Sequence, residues 1–186
     1  MNMEEILFEA EEKMDKTGQK IHDDFAAVRT GKASPTLVEN IRVDTYGSSM
    51  RLRELAGITA PEPRMIMIQP WDVANVEPIR KALTESNVGI TPLIDGKIIR
   101  LPIPELSEDR RKEMVKIVRK IAEDGRVAIR HSRREAIDAL KKLQKDSKLT
   151  EDELEQAEKD VQKLTDDYTS KIDKAMEAKE AELMKV

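Results

Sequence analysis

Arg126, Arg130, Arg133 and Arg134 recur at i, i+4, i+7 and i+8, spacings that bring side chains out on one face of an α-helix. Guanidinium groups in such a row grip phosphate oxygens through paired, charge-assisted hydrogen bonds. Lys112, Lys116, Arg119 and Lys141 extend the row in both directions. The surrounding charge is lopsided. Residues 108–148 carry fourteen Lys and Arg against eight Asp and Glu, whereas residues 1–30 carry four against eight. Residues 149–186 carry six against twelve, and residues 31–107 balance at nine each. A chain with a net charge of −4 has thus gathered its positive excess on one segment. That distribution predicts a local anion-binding surface on a body that otherwise repels anions. The competing reading, a solvated charged face with no ligand, has to be set against it.

Other chemistries find little support. There is no cysteine, so disulfides and thiolate metal sites are excluded. His22 and His131 are far apart, which argues against a metal centre. No glycine-rich phosphate loop and no Gly-x-Ser-x-Gly elbow occurs, so no catalytic residue and no cofactor is predicted. Aromatic residues are 3% of the chain, too few for the stacking platforms of a single-strand binder. No apolar run approaches the length of a membrane span. The acidic start Met-Asn-Met-Glu-Glu is neither a secretory signal nor a transit peptide, and the expected location is cytoplasmic.

The elements that position the arginines follow from hydrophobic spacing. Met3, Leu7, Ala10, Met14, Gly18, Ile21, Phe25 and Val28 step by three and four, the seam of an amphipathic helix over residues 3–28. Gly31 is placed to end it at positive φ, and Pro35 disfavours a helical Ser34. The period then falls to two, predicting strands over 41–46, 50–55, 57–60 and 65–68, with Pro61-Glu-Pro63 breaking the chain between the last two. Asp72 is placed to cap a helix through Ser86, which Asn87-Val-Gly89 closes. Strands over 89–94 and 97–101 flank the hairpin dipeptide Asp95-Gly96. Trp71 either contacts a partner or staples back onto the first turn of the Asp72 helix, and its position favours the staple. Pro102 and Pro104 hold the next segment extended. Ser107 caps a helix to about Asp146, a rod of about 60 Å. Opposite its arginines run Met114, Ile117, Val118, Ile121, Gly125, Ala128, Ser132, Ala136, Ala139 and Leu143. Thr150 and Glu153 form a capping box for a last helix with seam Leu154, Ala157, Val161, Leu164, Tyr168, Ile172 and Ala175.

Three long helices, none able to bury its stripe alone, predict an α+β fold. Residues 1–30 and 105–186 form an elongated antiparallel three-helix bundle, and a small, mostly β α/β domain over residues 31–104 is inserted in it. Linkers at 30–35 and 101–105 form the hinge, through Thr30, Gly31, Ala33, Ser34, Pro35, Pro102 and Pro104.

Five stretches in order resemble the signatures of the bacterial ribosome recycling factor family. They are Arg29-Thr-Gly-Lys-Ala-Ser-Pro35, Leu106-Ser-Glu-Asp-Arg-Arg-Lys112, Arg126-Val-Ala-Ile-Arg130 with Arg133-Arg134, Val161-Gln-Lys-Leu-Thr-Asp166 and Lys179-Glu-Ala-Glu-Leu-Met184. The resemblance implies an L-shaped, hinged monomer that binds the post-termination ribosome along large-subunit RNA in the intersubunit region. With elongation factor G and GTP it would split the ribosome into subunits, releasing mRNA and tRNA. By motif position the RNA contacts fall on Arg130 and Arg133, with Arg29, Arg110, Arg126 and Arg134 supporting. The cationic row adds Arg119 and Lys116. Ser132, Glu135, Thr45 and Arg51 depart from the family pattern, where an aliphatic residue, aspartate, an aromatic and proline are usual. The alternative is a non-catalytic helical scaffold with a generic polyanion-binding face.

Overall fold

The computed structural model describes residues 1–86 and 88–185, so Asn87, expected to help close the Asp72 helix, lies outside the described residues. In chain order the elements are α1 (Met3–Ala26), β1 (Arg42–Thr45), β2 (Ser48–Arg51), β3 (Ala56–Glu62) and β4 (Met65–Pro70). Then follow α2 (Val76–Glu85), β5 (Leu93–Asp95), β6 (Ile98–Pro102), α3 (Glu108–Lys145) and α4 (Glu151–Met184). Two compact units result: Met1–Phe25 with Lys116–Glu182, and Ala26–Val115 with Leu183–Val186. No described helix is long and apolar enough to cross a membrane.

The first unit is helical. Asn2 and Glu5 start α1 with a reciprocal box: the Glu5 N–H donates to Asn2 Oδ1 at 2.8 Å, and the Asn2 N–H donates to Glu5 Oε2 at 2.9 Å. The box at Thr150 starts α4, its N–H donating to Glu153 Oε2 at 2.8 Å and its Oγ1 accepting from the Glu153 N–H at 3.2 Å. Ile6 and Ala10 of α1 pack with Ala136, Leu140 and Leu143 of α3 and with Ala157 and Val161 of α4. Lower down, Gly125 of α3 faces Ile21 of α1 and Ile172 of α4, and Gly18 of α1 faces Tyr168 of α4. The order of these contacts makes α3 antiparallel to both α1 and α4, a three-helix bundle.

The seam of α3 differs from the expected one by a rotation. Its buried residues are Val118, Ala122, Gly125, Ile129, Ser132, Ala136, Leu140 and Leu143, whereas Ile117 is 44% exposed. Small residues drew the sequence reading toward Ala128 and Ala139, which are only half-buried. The packed stripe instead follows the three-four spacing through the larger Ile129 and Leu140. In α4, Thr165 joins Ala157, Val161 and Ile172 in the core by donating its hydroxyl to the Val161 carbonyl at 2.9 Å.

The second unit holds a hairpin of β1 and β2 and a four-stranded antiparallel sheet in the order β3-β4-β6-β5. Ile66 and Ile68 of β4 lie directly opposite Leu101 and Ile99 of β6. All four are fully buried and pack with Val76, Ile79 and Leu83 of α2. Pro61 does not break the chain. It lies within β3, an edge strand whose register shifts between Thr59 and Glu62, and an edge at an irregularity tolerates the missing N–H. The predicted 50–55 strand stops at Arg51 and continues as a 3-10 turn over Leu52–Glu54. β5 covers only Leu93–Asp95, and because Asp95 pairs with Ile98 the hairpin turns at Gly96-Lys97. Tyr46 and Gly47, both at positive φ, make the two-residue turn between β1 and β2. Trp71 is not a staple: it is 70% exposed. Asp72 accepts from the Ala74 N–H at 3.0 Å and caps a short 3-10 turn before α2, without drawing Trp71 inward.

A Cβ on Gly125 would stand 2.7 Å from Ile21 Cγ1 and 3.2 Å from Ile172 Cδ1. Gly125→Ala therefore trades a helix-propensity gain of about 1 kcal/mol against overpacking of roughly 1–3 kcal/mol. The expected result is a thermal midpoint lower by a few degrees, a loss that disappears when the same substitution is made in an Ile21→Ala background, which removes the clashing γ carbon. A midpoint at or above the parent's for the single variant would show that α3 does not need glycine here.

Candidate nucleic-acid interface

The expected row of arginines separates into two sets once α3 is packed. At about 100° per residue, heptad spacing returns a side chain to nearly the same angle, while i+4 and i+8 drift by roughly 40° and 80°. Arg119, Arg126 and Arg133 are a heptad apart, and all three reach α4. The Nε of Arg119 donates to Glu180 at 2.7 Å, Nη1 of Arg126 to Asp173 at 2.5 Å, and Nη1 of Arg133 to Gln162 at 2.9 Å. Arg130 and Arg134 turn outward and are exposed, as is Lys116.

Glu123 ties the two sets together, accepting from Arg126 Nε at 3.1 Å and from Arg130 Nη2 at 2.8 Å. Those two donors hold its carboxyl below the usual carboxylate range, Arg126 contributing more than Arg130. Arg126 is the most enclosed of the ion-paired arginines, its side chain 24% exposed. Burial alone would depress its pKa, but Glu123 and Asp173 outweigh burial and raise it. Arg126 is thus a cation committed to an interhelical clasp. Arg133 differs, because its acceptor is a neutral amide and its buried Nε has no hydrogen-bond partner.

In the second unit, Arg29 and Arg110 come together. Burial, and then the charge of Arg110, lowers the Arg29 pKa, and the buried Arg29 Nε is unpartnered. Arg110 is exposed and pairs with Glu113 at 2.8 Å. Arg111, which sequence reasoning passed over beside Arg110, also keeps a buried, unpartnered Nε. The buried Nε of Arg29 and of Arg111 is closed to solvent, so an anionic oxygen ligand would meet only their terminal nitrogens.

The expected hinge residues have local ties of their own. Gly31 adopts φ +85°. Ser34 and Pro35 open a 3-10 turn, in which Ser34 Oγ accepts from the Thr36 N–H. The turn between β3 and β4, read in sequence only as a break, holds both linkers: the Ala33 N–H donates to the Pro63 carbonyl and the Ile103 N–H to the Arg64 carbonyl, each at 2.8 Å. Pro102 ends β6, and Arg64 is ion-paired with Glu105 next to Pro104. His131 stands apart from the arginines, 3.7 Å from Glu135. The departures from the family pattern find partners. Glu135 meets Lys13 of α1 at 3.0 Å, Thr45 donates to the buried Asn75 at 2.7 Å, and Arg51 pairs its backbone N–H with Glu54 at 2.9 Å.

A double-mutant cycle separates clasp from free cation. Arg126→Ala and Asp173→Asn should couple by about 0.5–1 kcal/mol in urea denaturation, while Arg134→Ala stays within about 0.5 kcal/mol of the parent. Additive losses at 126 and 173 would mean the clasp contributes nothing to stability.

The ribosome recycling factor family model matches residues 21–184. The ribosome-recycling factor of Alkaliphilus metalliredigens is 49% identical over 182 residues, 98% of each chain. That of Caldicellulosiruptor saccharolyticus is 50% identical over 184 residues, 99% of this chain and 100% of its own. A solution structure of a ribosome recycling factor superposes with a TM-score of 0.79 at 41% identity, covering 100% of this chain and 99% of that one. Another match, at TM-score 0.67 and 41% identity over 100% of both chains, belongs to models for the T. thermophilus ribosome recycling factor and the E. coli elongation factor G bound to the E. coli post-termination complex. With the helical bundle, the small antiparallel sheet and the arginine-bearing α3 all in place, this chain belongs to the ribosome recycling factor family.

Proposed function

We propose that this chain recycles ribosomes in the cytoplasm. It binds the post-termination ribosome as a monomer and, with elongation factor G and GTP, dissociates it into subunits and releases mRNA and tRNA. The observation that carries this reading is full-length identity near one half to named recycling factors, with the arginines of α3 in place. It is a binding factor, and its work is done through contacts and not through a bond-making site.

In this reading the phosphate contacts fall on the outward side of α3. Arg130 and Arg133 lead, Arg134 and Lys116 add charge, and Arg126 and Arg119 order the face from behind. What supports the division is the pairing pattern: exposed or neutral partners in front, carboxylates of α4 behind. Arg29 and Arg110 form a second contact, supported by their closeness, since the charge of Arg110 acts on Arg29. Guanidinium groups following a backbone grip folded RNA by shape and charge without reading sequence, which suits one fixed site on large-subunit RNA. Acidic α1 and α4 keep the other flanks off the RNA and favour one orientation. Residues 30–35 and 101–105 act as the hinge by which the inserted domain responds to the translocase. Left-handed Gly31, extended Ser34 and Pro102 at the end of β6 support that role.

Arg133→Ala should lower ribosome affinity by about tenfold, a loss of roughly 1–2 kcal/mol, with an unchanged circular dichroism spectrum. Affinity should fall as salt rises, and the slope against log salt should flatten by about one for each phosphate contact removed. Light scattering with elongation factor G and GTP reads subunit splitting directly. If the parent protein leaves scattering unchanged in that assay, the recycling reading fails.

A further inference from the structure

The motif Val161-Gln-Lys-Leu-Thr-Asp166 contributes two core residues, Val161 and Thr165, but packing leaves its polar members unexplained. Gln162 is exposed on α4 and accepts from Arg133 Nη1 at 2.9 Å, while its own Nε2 donates to Asp166 Oδ1 at 2.8 Å. Resting on the RNA-binding reading of Arg133, we propose that Gln162 is a positioning residue that orients this arginine toward phosphate without neutralising it.

The comparison lies within the same helix pair. Three arginines of α3, one heptad apart, reach across to α4. Arg119 and Arg126 end on carboxylates, Glu180 and Asp173, while Arg133 ends on an amide. A carboxylate at Gln162 would fix the guanidinium equally well, but it would cancel the charge a phosphate needs. An amide offers an acceptor oxygen and no charge. The hydrogen bond to Asp166 settles which way that amide points. Its NH₂ is held toward the carboxylate, so its oxygen is left for Arg133. Asp166 itself is one amide removed from the guanidinium. The Nε of Arg133 is buried away from solvent, so a phosphate would meet the terminal nitrogens of the guanidinium, only one of which is held by Gln162. A structural role alone would be served as well by the clasp chemistry that Arg126 uses.

The test measures binding of the full-length protein to vacant 70S ribosomes by sedimentation over a range of salt, for four variants beside the parent. Gln162→Glu should weaken binding about as much as Arg133→Ala and flatten the salt slope by about one, because it neutralises the same charge. Gln162→Met, neutral and of similar length, should weaken binding by only about threefold and keep the parent slope, because it loses the orientation and leaves the charge. Added to Arg133→Ala, Gln162→Glu should change nothing further. Gln162→Glu binding like the parent, while Arg133→Ala binds poorly, overturns the role of Gln162 and leaves the RNA-binding reading of Arg133 standing. Arg133→Ala binding like the parent overturns both. A thermal midpoint equal to the parent's for both Gln162 variants is expected from their exposed position. A midpoint lowered together with affinity would mark Gln162 as structural and also sink the proposal.

Discussion

Gly125 lets α3 approach both of its neighbours at once, and much of the helical unit depends on that approach. The space a side chain would occupy there is already filled by Ile21 of α1 and Ile172 of α4. Close-packed interiors do not yield by half an ångström without cost, so the absence of one methyl group sets the local spacing of three helices. The residue that follows is Arg126, and Asp173 follows Ile172. Because the helices are antiparallel these two lie diagonally, and the long Arg126 side chain spans the gap, its Nη1 2.5 Å from Asp173 Oδ1. Packing and electrostatics meet here, because the clasp lies beside the contact that excludes a Cβ.

That clasp explains why four arginines of one row are not equivalent. Exposed ion pairs contribute little because solvent screens them, so the exposed pair of Arg130 and Glu123 can give way to a phosphate. Arg126 is held from two sides by Glu123 and Asp173 in a half-buried place, and leaving it would break two charge-assisted hydrogen bonds at once. Its value to a ligand is indirect, since it pins Glu123 and Glu123 in turn restrains Arg130. Long side chains lose rotamer entropy when they bind, and restraint beforehand reduces that loss. The face is thus ordered from behind by carboxylates and left charged in front.

How much of this was legible in the sequence depends on the kind of information required. Caps and periods are local. Ser107, Thr150 and Glu153 mark helix starts where the structure has them, and the three-four stripes of α1 and α4 run close to the observed cores. The rotation of the α3 seam was not legible, because alanine and glycine fit either a packed or a half-open position. Only the facing helix decides between them, burying Ile129 and Leu140 and leaving Ala128 and Ala139 partly open. Trp71 misled for a related reason: size and position suit a staple, but the Asp72 cap closes through a 3-10 turn that leaves the indole outside. The arginine spacing announced a cationic face. Which guanidinium meets Asp173, which meets Gln162 and which stays free is set by α4, and no spacing within α3 carries it.

The sign of the charge on each helix then becomes part of how the fold presents its ligand. α3 is basic and α1 and α4 are acidic, yet α4 spends several of its acids on α3, at Glu180, Asp173 and Glu158. Those pairs reduce the positive field along the seam and leave it strongest on the outward side, where Lys116, Arg130 and Arg134 stand exposed. A polyanion approaching this bundle would meet attraction along one strip and repulsion on the flanks. Beyond the Debye length of about 8 Å at physiological salt, exposed charges hardly act, so the discrimination operates close in. Narrowing the strip sacrifices total attraction for orientation. That exchange suits a protein whose effect would depend on how it lies on its target, since a broad cationic surface would bind RNA more tightly and in too many ways.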